Sequence, residues 1–137
     1  MKVGLDHIPL LSYFKWDIVE FMGHAADYGY EGVQIPSRPL VDDAGLRRHV
    51  AETARERELY VEIGGAGIDA TRARKSPAEL AAGWPPLFEV ARDVGARVLI
   101  TGVGTWPWEG RTSDERGQSP EDQIDGAAAT LREVGKM

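Results

Sequence analysis

The fold of this chain is decided by the stretch DYGYEGVQI at residues 27–35, where the end of an apolar helix meets a glycine and then a run of strand-forming residues. A second copy of the phrase, DVGARVLI, occupies residues 93–100. Glycine just past a helix lets the backbone take a left-handed turn into the next strand, so each copy predicts a helix-to-strand junction. A third copy begins as EVGK at residues 133–136 and predicts another strand after Met137. We therefore expect the chain to be the N-terminal portion of a larger protein.

Outward from this stretch, four short apolar runs predict strands at residues 2–7, 32–36, 59–63 and 97–102. Each run is followed by a segment in which apolar residues recur at helical spacing. Successive units begin about thirty residues apart, which is the size of a βαβ element. Strands separated by helices pair in parallel, because a hairpin cannot join neighbours across such a connection. The sequence therefore predicts an α/β fold of four βα units in a single domain, residues 1–137.

Capping residues mark the predicted helix starts. Either Asp42 or Asp43 can cap the second helix, while Ser76 and Glu79 form a capping-box pattern around a first-turn proline at the third. The run GWPP at residues 83–86 predicts an interruption of that third helix, because proline lacks an amide hydrogen. The last helix opens with SPED at residues 119–122, and its predicted inner face consists of Ile124, Ala127, Ala128, Leu131 and Val134.

The two faces of the predicted strands differ in polarity. In strands two and three, Val33, Ile35, Val61 and Ile63 alternate with the polar residues Gln34 and Glu62. An open sheet covered by helices on both sides disfavours such polar positions, whereas a barrel accepts inward-pointing polar residues near the carboxyl ends of its strands. An intact barrel needs roughly 200 residues or more. The pattern therefore favours a parallel (βα)4 half of a TIM (βα)8 barrel, truncated after the fourth helix.

Composition limits the functions that the chain can have. With 42% hydrophobic and 28% charged residues over 137 positions, the chain has the composition of a globular protein. The absence of cysteine excludes disulfides, thiolate metal sites and a cysteine nucleophile, and it fits a reducing compartment, with the cytoplasm as the default. No apolar run reaches membrane-spanning length. A net charge of −6 argues against nucleic acid as the main partner, because binding to phosphate backbones depends on clustered Lys and Arg.

Three phrases, taken in order and spacing, resemble a known family. MKVGL at residues 1–5, ADYGYEGVQI at 26–35 and VGARVLITG at 94–102 are similar to the opening of the xylose isomerase-like TIM barrels, the sugar-phosphate isomerase and epimerase superfamily. The resemblance covers essentially the whole chain. Its most specific part is the second strand, where the family usually has glutamate and this chain has Gln34. That replacement keeps a hydrogen-bonding group but removes a charge and a possible base.

The resemblance implies a metal-dependent activity on sugars or sugar phosphates. In the family a divalent metal, commonly Mn, Mg, Co or Zn, polarises a carbonyl and stabilises an enediolate, while two glutamates move a proton between neighbouring carbons. Carboxylates and a histidine from strands five to eight hold that metal, and all of them would lie beyond Met137. The resemblance therefore assigns no catalytic residue and no metal ligand within this chain. We expect the chain alone to be inactive and to contribute a substrate-lining surface.

Candidates for that surface lie at strand ends and in the long segment after strand four. Strand ends of a parallel barrel converge at its mouth, and tryptophan faces stack on the C–H surfaces of sugars. Each candidate also has a structural interpretation, as a strand-end polar contact or as a tryptophan packed over its own loop. Two other histidines, His24 and His49, fall on helices and are expected at the surface. The candidate substrate-lining residues are His7, Gln34, Glu62, Thr101, Trp106, Trp108 and Glu109, with Asp6 as the alternative to His7 on strand one.

Two alternatives to the sugar-isomerase interpretation remain open. The chain can be a non-catalytic half-barrel, an assembly or ligand-binding module that pairs with another copy through the open edges of strands one and four. It can also resemble the apurinic-site endonucleases of the same superfamily, which place histidine ligands at the ends of strands three and four. This chain has GG at residues 64–65 and GV at 102–103 in those places, and its acidic balance disfavours DNA. A small-molecule sugar is therefore favoured as the partner over a nucleic acid or a membrane.

Overall fold

The computed structural model describes residues 3–7, 11, 13–64, 76–102 and 120–137. The chain divides into two compact units: a first unit of residues 1–66 and 86–100, and a second unit of residues 67–85 and 101–137. Each unit is described by itself below. The expectation of a single domain stays a prediction.

Strands alternate with helices along the chain, as the sequence predicts. The four strands and the first three helices belong to the first unit, together with nearly all of the fifth helix. Within the described residues, no helix combines the length and the apolar character needed to cross a bilayer. In chain order the elements are β1 (Gly4–Asp6), α1 (Ile18–Asp27), β2 (Gly32–Pro36), α2 (Arg38–Val41), α3 (Ala44–Glu56), β3 (Tyr60–Gly64), α4 (Pro77–Ala81), α5 (Pro85–Val94), β4 (Val98–Leu99) and α6 (Pro120–Val134).

The strands form one parallel sheet in the order β1-β2-β3-β4. The prediction of a parallel α/β fold is thus confirmed. β2 has the predicted bounds and β3 is shifted by one residue. β4 is much shorter than the predicted run of residues 97–102, although Ile100 N still donates to Ile63 O at 2.7 Å and extends the pairing. The short α2 is not predicted by the sequence, because four residues are too few to show helical periodicity.

The core of the first unit lies on one face of this sheet. Val33, Ile35, Val61 and Ile63 are at most 3% exposed and belong to one hydrophobic cluster. Helices α1, α3 and α5 supply the other side of that cluster through Phe21, Met22, Val50 and Val90, all fully buried. The alternating pattern predicts this apolar face of β2 and β3, so that part of the prediction is confirmed.

The glycine junctions behave as predicted in the first two copies. Gly29 and Gly95 have φ values of 83° and 73°, in the left-handed region. In both turns an amide just after the glycine donates to a carbonyl five residues earlier, from Tyr30 to Ala25 at 3.0 Å and from Ala96 to Ala91 at 2.8 Å. These bonds satisfy carbonyls at the helix end, as expected of this motif.

Two other junctions differ from the prediction. The turn from α3 to β3 has the same hydrogen bond, from Leu59 N to Ala54 O at 2.8 Å, but Glu58 takes the left-handed conformation there, with φ of 55°. The sequence gives no sign of this turn because no glycine marks it. In the third copy of the phrase, Gly135 is not left-handed, and that part of the prediction is wrong. The amide of Gly135 donates to Leu131 O at 2.9 Å, four residues earlier, so the helical hydrogen-bonding pattern continues at this glycine.

Capping follows the sequence closely. Asp43, and not Asp42, caps α3 by accepting from Leu46 N at 2.8 Å. The predicted capping box of Ser76 and Glu79 is present at α4. A second capping box, Asp17 with Glu20, starts α1 and was not predicted, although its D-x-x-E spacing carries the signal. The predicted interruption at residues 83–86 is confirmed, because α4 ends at Ala81 and α5 begins at Pro85.

In the second unit, α6 buries only part of its predicted inner face: the prediction holds at Ala127 and is wrong at Ile124 and Leu131. Ala127 is 3% exposed and Thr130 is fully buried, whereas Ile124 and Leu131 are 63% and 43% exposed. The Thr130 hydroxyl donates to Gly126 O at 2.9 Å, which satisfies it inside the contact. Helix α6 lies against the short helix α4. A small-residue face lets two helices approach closely, and this contact outweighs the apolar spacing on which the prediction relied.

Arg47 connects three helices of the first unit. Its guanidinium donates from one terminal nitrogen, Nη1, to the carbonyls of Leu40 and Val41 at 2.8 and 2.9 Å, at the end of α2. Its Nε lies 3.0 Å from Asp93 Oδ2 on α5. The Arg47 side chain is only 16% exposed, so its contacts with α2 and α5 are partly buried. The sequence does not reveal this role, since both arginines of the pair at 47–48 look alike in the pattern.

Candidate functional site

The other face of the sheet carries an open cavity of about 420 Å³. All of the residues that line it belong to β1, β2 and β3, so the cavity lies within the first unit. It is lined by Gly4, Leu5, Asp6, Gly32, Val33, Gln34, Tyr60 and Glu62.

Three polar residues form a row across this face. Asp6 pairs with Gln34 in the β1–β2 register, and Gln34 pairs with Glu62 in the β2–β3 register. Neighbouring parallel strands lie about 4.8 Å apart, so the three side chains stand side by side. The structure thus brings together Gln34 and Glu62, two of the predicted candidates, with Asp6 as the third member. Their contact with a substrate stays a prediction.

Glycines make room for this row. Gly4 and Gly32 lie level with Tyr60 in the next row of the sheet, and neither has a side chain to fill the cavity. A Cβ atom at Gly32 would lie 2.8 Å from the backbone oxygen of Tyr60 and 3.2 Å from its Cβ. A Cβ at Gly64 would lie 2.6 Å from Gln34 Nε2. The side chain of Gln34 therefore rests directly on Gly64, and that of Tyr60 covers Gly32.

His7 lies at the carboxyl end of β1, and it is not among the cavity residues identified in the described part of the chain. Its Nδ1 is 3.0 Å from the backbone oxygen of Gln34 and 3.2 Å from Asp6 Oδ1. Both partners are acceptors, so Nδ1 carries the hydrogen in this geometry. The amide of His7 donates to the same Gln34 oxygen at 3.2 Å. His7 therefore ties the ends of β1 and β2 together.

This row of residues does not test the remaining candidates. Thr101 belongs to the second unit, and its hydroxyl donates to Gly102 O at 3.4 Å. Trp106, Trp108 and Glu109 lie outside the described residues. Of the other histidines, His49 is exposed as expected, but His24 is half-buried, with its ring centroid 4.3 Å from that of Trp16.

The chemistry of the row suits a ligand rich in hydroxyl groups. Carboxylates accept hydrogen bonds, and the Gln34 amide both donates and accepts. The Glu62 side chain is half-buried, and no described residue donates a hydrogen bond to its carboxylate. Tyr60 adds an aromatic ring and a phenolic hydroxyl at the side of the cavity. The row therefore offers several acceptors and one amide donor to a small polar molecule.

The described residues do not fit a resident divalent metal. Within this part of the chain, no three His, Asp or Glu side chains come close enough together to hold an ion. Asp6 and Glu62 are the only carboxylates lining the cavity as described, and the strand that carries Gln34 lies between their strands. Protein sites for such ions usually supply three or more ligands. That the ligands lie elsewhere stays a prediction.

Sequence reasoning missed the glycines and Tyr60. Tyr60 lies two residues before Glu62 and is in phase with it, so the period of two that identified Glu62 also marks Tyr60. Gly4 and Gly32 share that phase on their own strands. Their importance depends on how closely neighbouring strands approach each other, which the pattern of one strand does not contain.

No protein-family model matches the sequence, and no curated protein matches it either. The fold, however, is similar to several solved structures. D-psicose 3-epimerase from Clostridium cellulolyticum H10, solved with D-tagatose, has a TM-score of 0.78 and 13% identity over 99% of this chain and 48% of its own. Another D-psicose 3-epimerase, solved in the presence of D-fructose, has a TM-score of 0.70 and 8% identity over 98% of this chain and 50% of its own.

A third similar structure is a xylose isomerase-like TIM barrel/4-hydroxyphenylpyruvate dioxygenase fusion protein. It has a TM-score of 0.72 and 14% identity over 99% of this chain and 20% of its own. The chain thus spans about half the length of the two epimerases and a fifth of the fusion protein. Because the sequence identities are this low, the structural similarity establishes the fold alone. The chain is a parallel (βα)4 half of a TIM barrel, as the sequence predicts.

Proposed function

We propose that this chain supplies the substrate-lining, N-terminal half of an isomerase or epimerase that acts on sugars or sugar phosphates. The observation that carries this proposal is the row of Asp6, Gln34 and Glu62 on the face of the sheet that carries the cavity. In barrel enzymes the substrate site is built at the carboxyl ends of the strands. The D-psicose 3-epimerases, whose fold the chain shares over half their length, were solved with D-tagatose and in the presence of D-fructose, and we propose a ketose as the substrate class.

The proposed work of these residues is binding and orientation. The carboxylates of Asp6 and Glu62 accept hydrogen bonds from neighbouring hydroxyls of the sugar. The Gln34 amide, placed between them, donates to a sugar oxygen and accepts from a hydroxyl. Such a row fixes a chain of carbons along the sheet and so orients the carbon that loses its proton. Catalysis itself needs the acid/base pair that we assign to the absent half.

A divalent metal is part of the proposal only for the complete enzyme. When bound, such a metal polarises the carbonyl beside the acidic carbon. Because the described residues do not fit a metal site, this chain's contribution is limited to the hydroxyl contacts. We therefore propose that the chain alone binds a ketose weakly and does not turn it over, with or without added Mn.

A titration tests the proposal. The uniformly ¹⁵N-labelled protein is titrated with D-fructose, D-tagatose or D-psicose, and amide shifts are followed by NMR. We expect saturable shifts centred on Asp6, Gln34, Tyr60 and Glu62. Glu62→Gln replaces a charged acceptor by a neutral one and is expected to weaken binding several-fold, because a hydrogen bond to a charged group contributes about 1 kcal/mol more than a neutral one.

The matched control is Glu56→Gln, which removes the same charge from an exposed position on α3. It is expected to bind like the unmodified protein. Shifts scattered over the surface, or equal weakening by both variants, would contradict a ketose site on this face. Turnover of a ketose by this chain with added Mn would contradict the assignment of the acid/base pair to the absent half. Cytoplasmic localisation stays a prediction that this experiment does not address.

The second candidate is a non-catalytic ligand-binding module. It is favoured by the same cavity together with Gln34, which stands where the resembled family usually has a charged glutamate. An amide at that position binds hydroxyls but is not a base. Gln34→Glu separates the two candidates once a complementary half is present, because activity should rise in an isomerase and stay absent in a binding module.

A further inference from the structure

The cavity of about 420 Å³ extends beyond the row of three polar residues that the proposed function uses. Towards the amino ends of the strands it is lined by a second row, Gly4, Gly32 and Tyr60, which are partners in the same parallel register. Two residues along a strand cover about 6.6 Å, so the second row lies about that far from the polar row. The cavity therefore has one polar part and one part that offers bare backbone and an aromatic ring.

The local backbone does not account for Gly4. Glycine weakens a strand, and it usually marks a left-handed conformation, a bulge, or the close approach of another backbone or of a ligand. Gly4 is not among the described residues with positive φ, and the register with β2 continues through it without a bulge. A Cβ on Gly4 would lie 3.4 Å from Gly32 O, which is an ordinary contact distance. The approach of a ligand is the explanation that remains.

The space above Gly4 is open in the described part of the chain. Apart from atoms of the adjoining residues, a Cβ on Gly4 would have only the backbone oxygen and carbon of Gly32 within 4 Å, and no side chain. Gly32 differs, because a Cβ there would lie 2.8 Å from Tyr60 O, so the approach of β3 explains that glycine. Tyr60 Cδ1 lies 3.4 Å from the same Cβ position, so the half-buried ring leans over Gly32 in the direction of β1. The ring of Tyr60 and the backbone of Gly4 thus border one open space.

The surfaces that border this space favour a flat, apolar group. Glycine exposes planar peptide groups, and an aromatic ring packs well against the face or edge of another ring such as that of Tyr60. The phenolic hydroxyl of Tyr60 is the one side-chain hydrogen-bonding group of the second row. The cavity lining identified in the described residues contains two carboxylates and no basic side chain, which disfavours a phosphate group because like charges repel.

We infer that the second row forms a subsite for a planar apolar substituent, and that the ligand is an uncharged ketose carrying an aromatic or similarly flat group. This inference rests on the proposed function, because the sugar part is held by the polar row. It narrows the substrate class from ketoses and their phosphates to ketoses that bear such a substituent. One methylene between sugar and ring is long enough to bring the ring from the polar row to the second row.

A matched pair of ligands tests the inference. The ¹⁵N-labelled protein is titrated with methyl β-D-fructopyranoside and with benzyl β-D-fructopyranoside, and amide shifts are followed by NMR. Both are expected to shift the amides of Gln34 and Glu62. The benzyl compound is expected to shift Gly4 and Gly32 as well, and to bind about tenfold more tightly, because its ring buries apolar surface and contacts Tyr60.

Variants at Gly4 test whether the space itself is needed. Gly4→Val fills the space, so the benzyl fructoside is expected to bind no better than the methyl fructoside, whose affinity stays the same. Gly4→Ala is the smaller change and is expected to have an intermediate effect. Neither variant is expected to lower the unfolding midpoint, because a Cβ fits at this position and valine favours strands.

Variants of tyrosine test the contact with the ring. Tyr60→Leu is expected to weaken binding of the benzyl fructoside several-fold and to change binding of the methyl fructoside less. The matched control is Tyr28→Leu, at a 75% exposed position that does not line the cavity. It is expected to bind both ligands like the unmodified protein.

The outcomes separate this inference from the proposed function. Equal affinities for the two fructosides, while D-fructose still shifts the polar row, would overturn the inference and leave the proposed function standing. If no sugar shifts the polar row, both are wrong. An unchanged preference for the benzyl fructoside in Gly4→Val would also overturn the inference. A lower unfolding midpoint for Gly4→Ala would overturn it as well, because Gly4 would then be required by the backbone.

Discussion

The two faces of the central sheet are made by the same strands and yet differ in almost every physical respect. On one face, Ile35 and Ile63 are fully buried under helices. On the other, Gln34 and Glu62 are half-buried and line an open cavity. Adjacent residues in the chain therefore serve different purposes, because successive side chains of a strand point to opposite faces. The difference teaches that stability and ligand contact can be altered separately by choosing odd or even positions on β2 and β3.

The largest expected effect comes from emptying the helix-covered face. Ile63→Ala removes a fully buried side chain at the centre of the core and is expected to lower the free energy of unfolding by about 2–5 kcal/mol. Urea denaturation followed by circular dichroism measures the change. Ile63→Val is the matched control, with an expected loss of about 0.5–1.5 kcal/mol. Equal losses for the two variants would show that this face is not close-packed.

The next largest effect is expected at Gly32, where β2 and β3 approach each other closely. A Cβ at Gly32 would lie 2.8 Å from the Tyr60 carbonyl oxygen, so Gly32→Ala is expected to push β2 and β3 apart and cost about 1–3 kcal/mol. Gly23→Ala is the control, because a Cβ there meets nothing within 4 Å and alanine favours the helix. We expect Gly23→Ala to raise the unfolding midpoint and Gly32→Ala to lower it. If both raise it, the close approach of the strands is not real.

The sequence predicts most of the fold because local chemistry marks it. Strand alternation, the Ser76 and Asp43 caps and the proline break before α5 are local signals, and each is confirmed. The predictions that fail depend on partners distant in sequence. Helix α6 lies against α4 and buries Thr130 while Ile124 and Leu131 stay exposed, and helical periodicity alone does not contain that contact.

The candidate site is predictable to the same extent. Gln34 and Glu62 are found from the sequence because the period of two places them on one face. The sequence does not predict the contacts of Gln34 with Gly64 and of Tyr60 with Gly32, because these contacts depend on the register between strands. His7 is predicted to line the site, and the structure instead shows its ring bonded to the Gln34 backbone and to Asp6. A position at the end of a strand predicts which residues lie near a side chain, but it does not predict the rotamer of that side chain.

A smaller effect is expected at the turn between α3 and β3, where Glu58 takes the left-handed conformation. A non-glycine residue in this conformation costs about 1–2 kcal/mol, so Glu58→Gly is expected to stabilise the protein by about 1 kcal/mol after the added freedom of the unfolded chain is subtracted. Gly95→Ala is the reciprocal change at φ of 73° and is expected to destabilise by a similar amount. Thermal unfolding compares the two. Ketose binding by Glu58→Gly is expected to equal that of the unmodified protein. The substitution would then affect stability and not ligand contact.

The smallest expected effect is on the open face itself. Glu62→Gln keeps the shape of the side chain and removes a charge that no described residue hydrogen-bonds, so the free energy of unfolding is expected to stay within about 0.5 kcal/mol of the original. Urea denaturation beside the exposed control Glu56→Gln measures this. A loss of more than about 1 kcal/mol for Glu62→Gln alone would mean that the carboxylate stabilises the sheet. The separation of stability and ligand contact between the two faces would then be wrong. If instead stability is unchanged while ketose affinity falls, Glu62 belongs to a binding surface, because a residue that only fills space affects folding and ligand together.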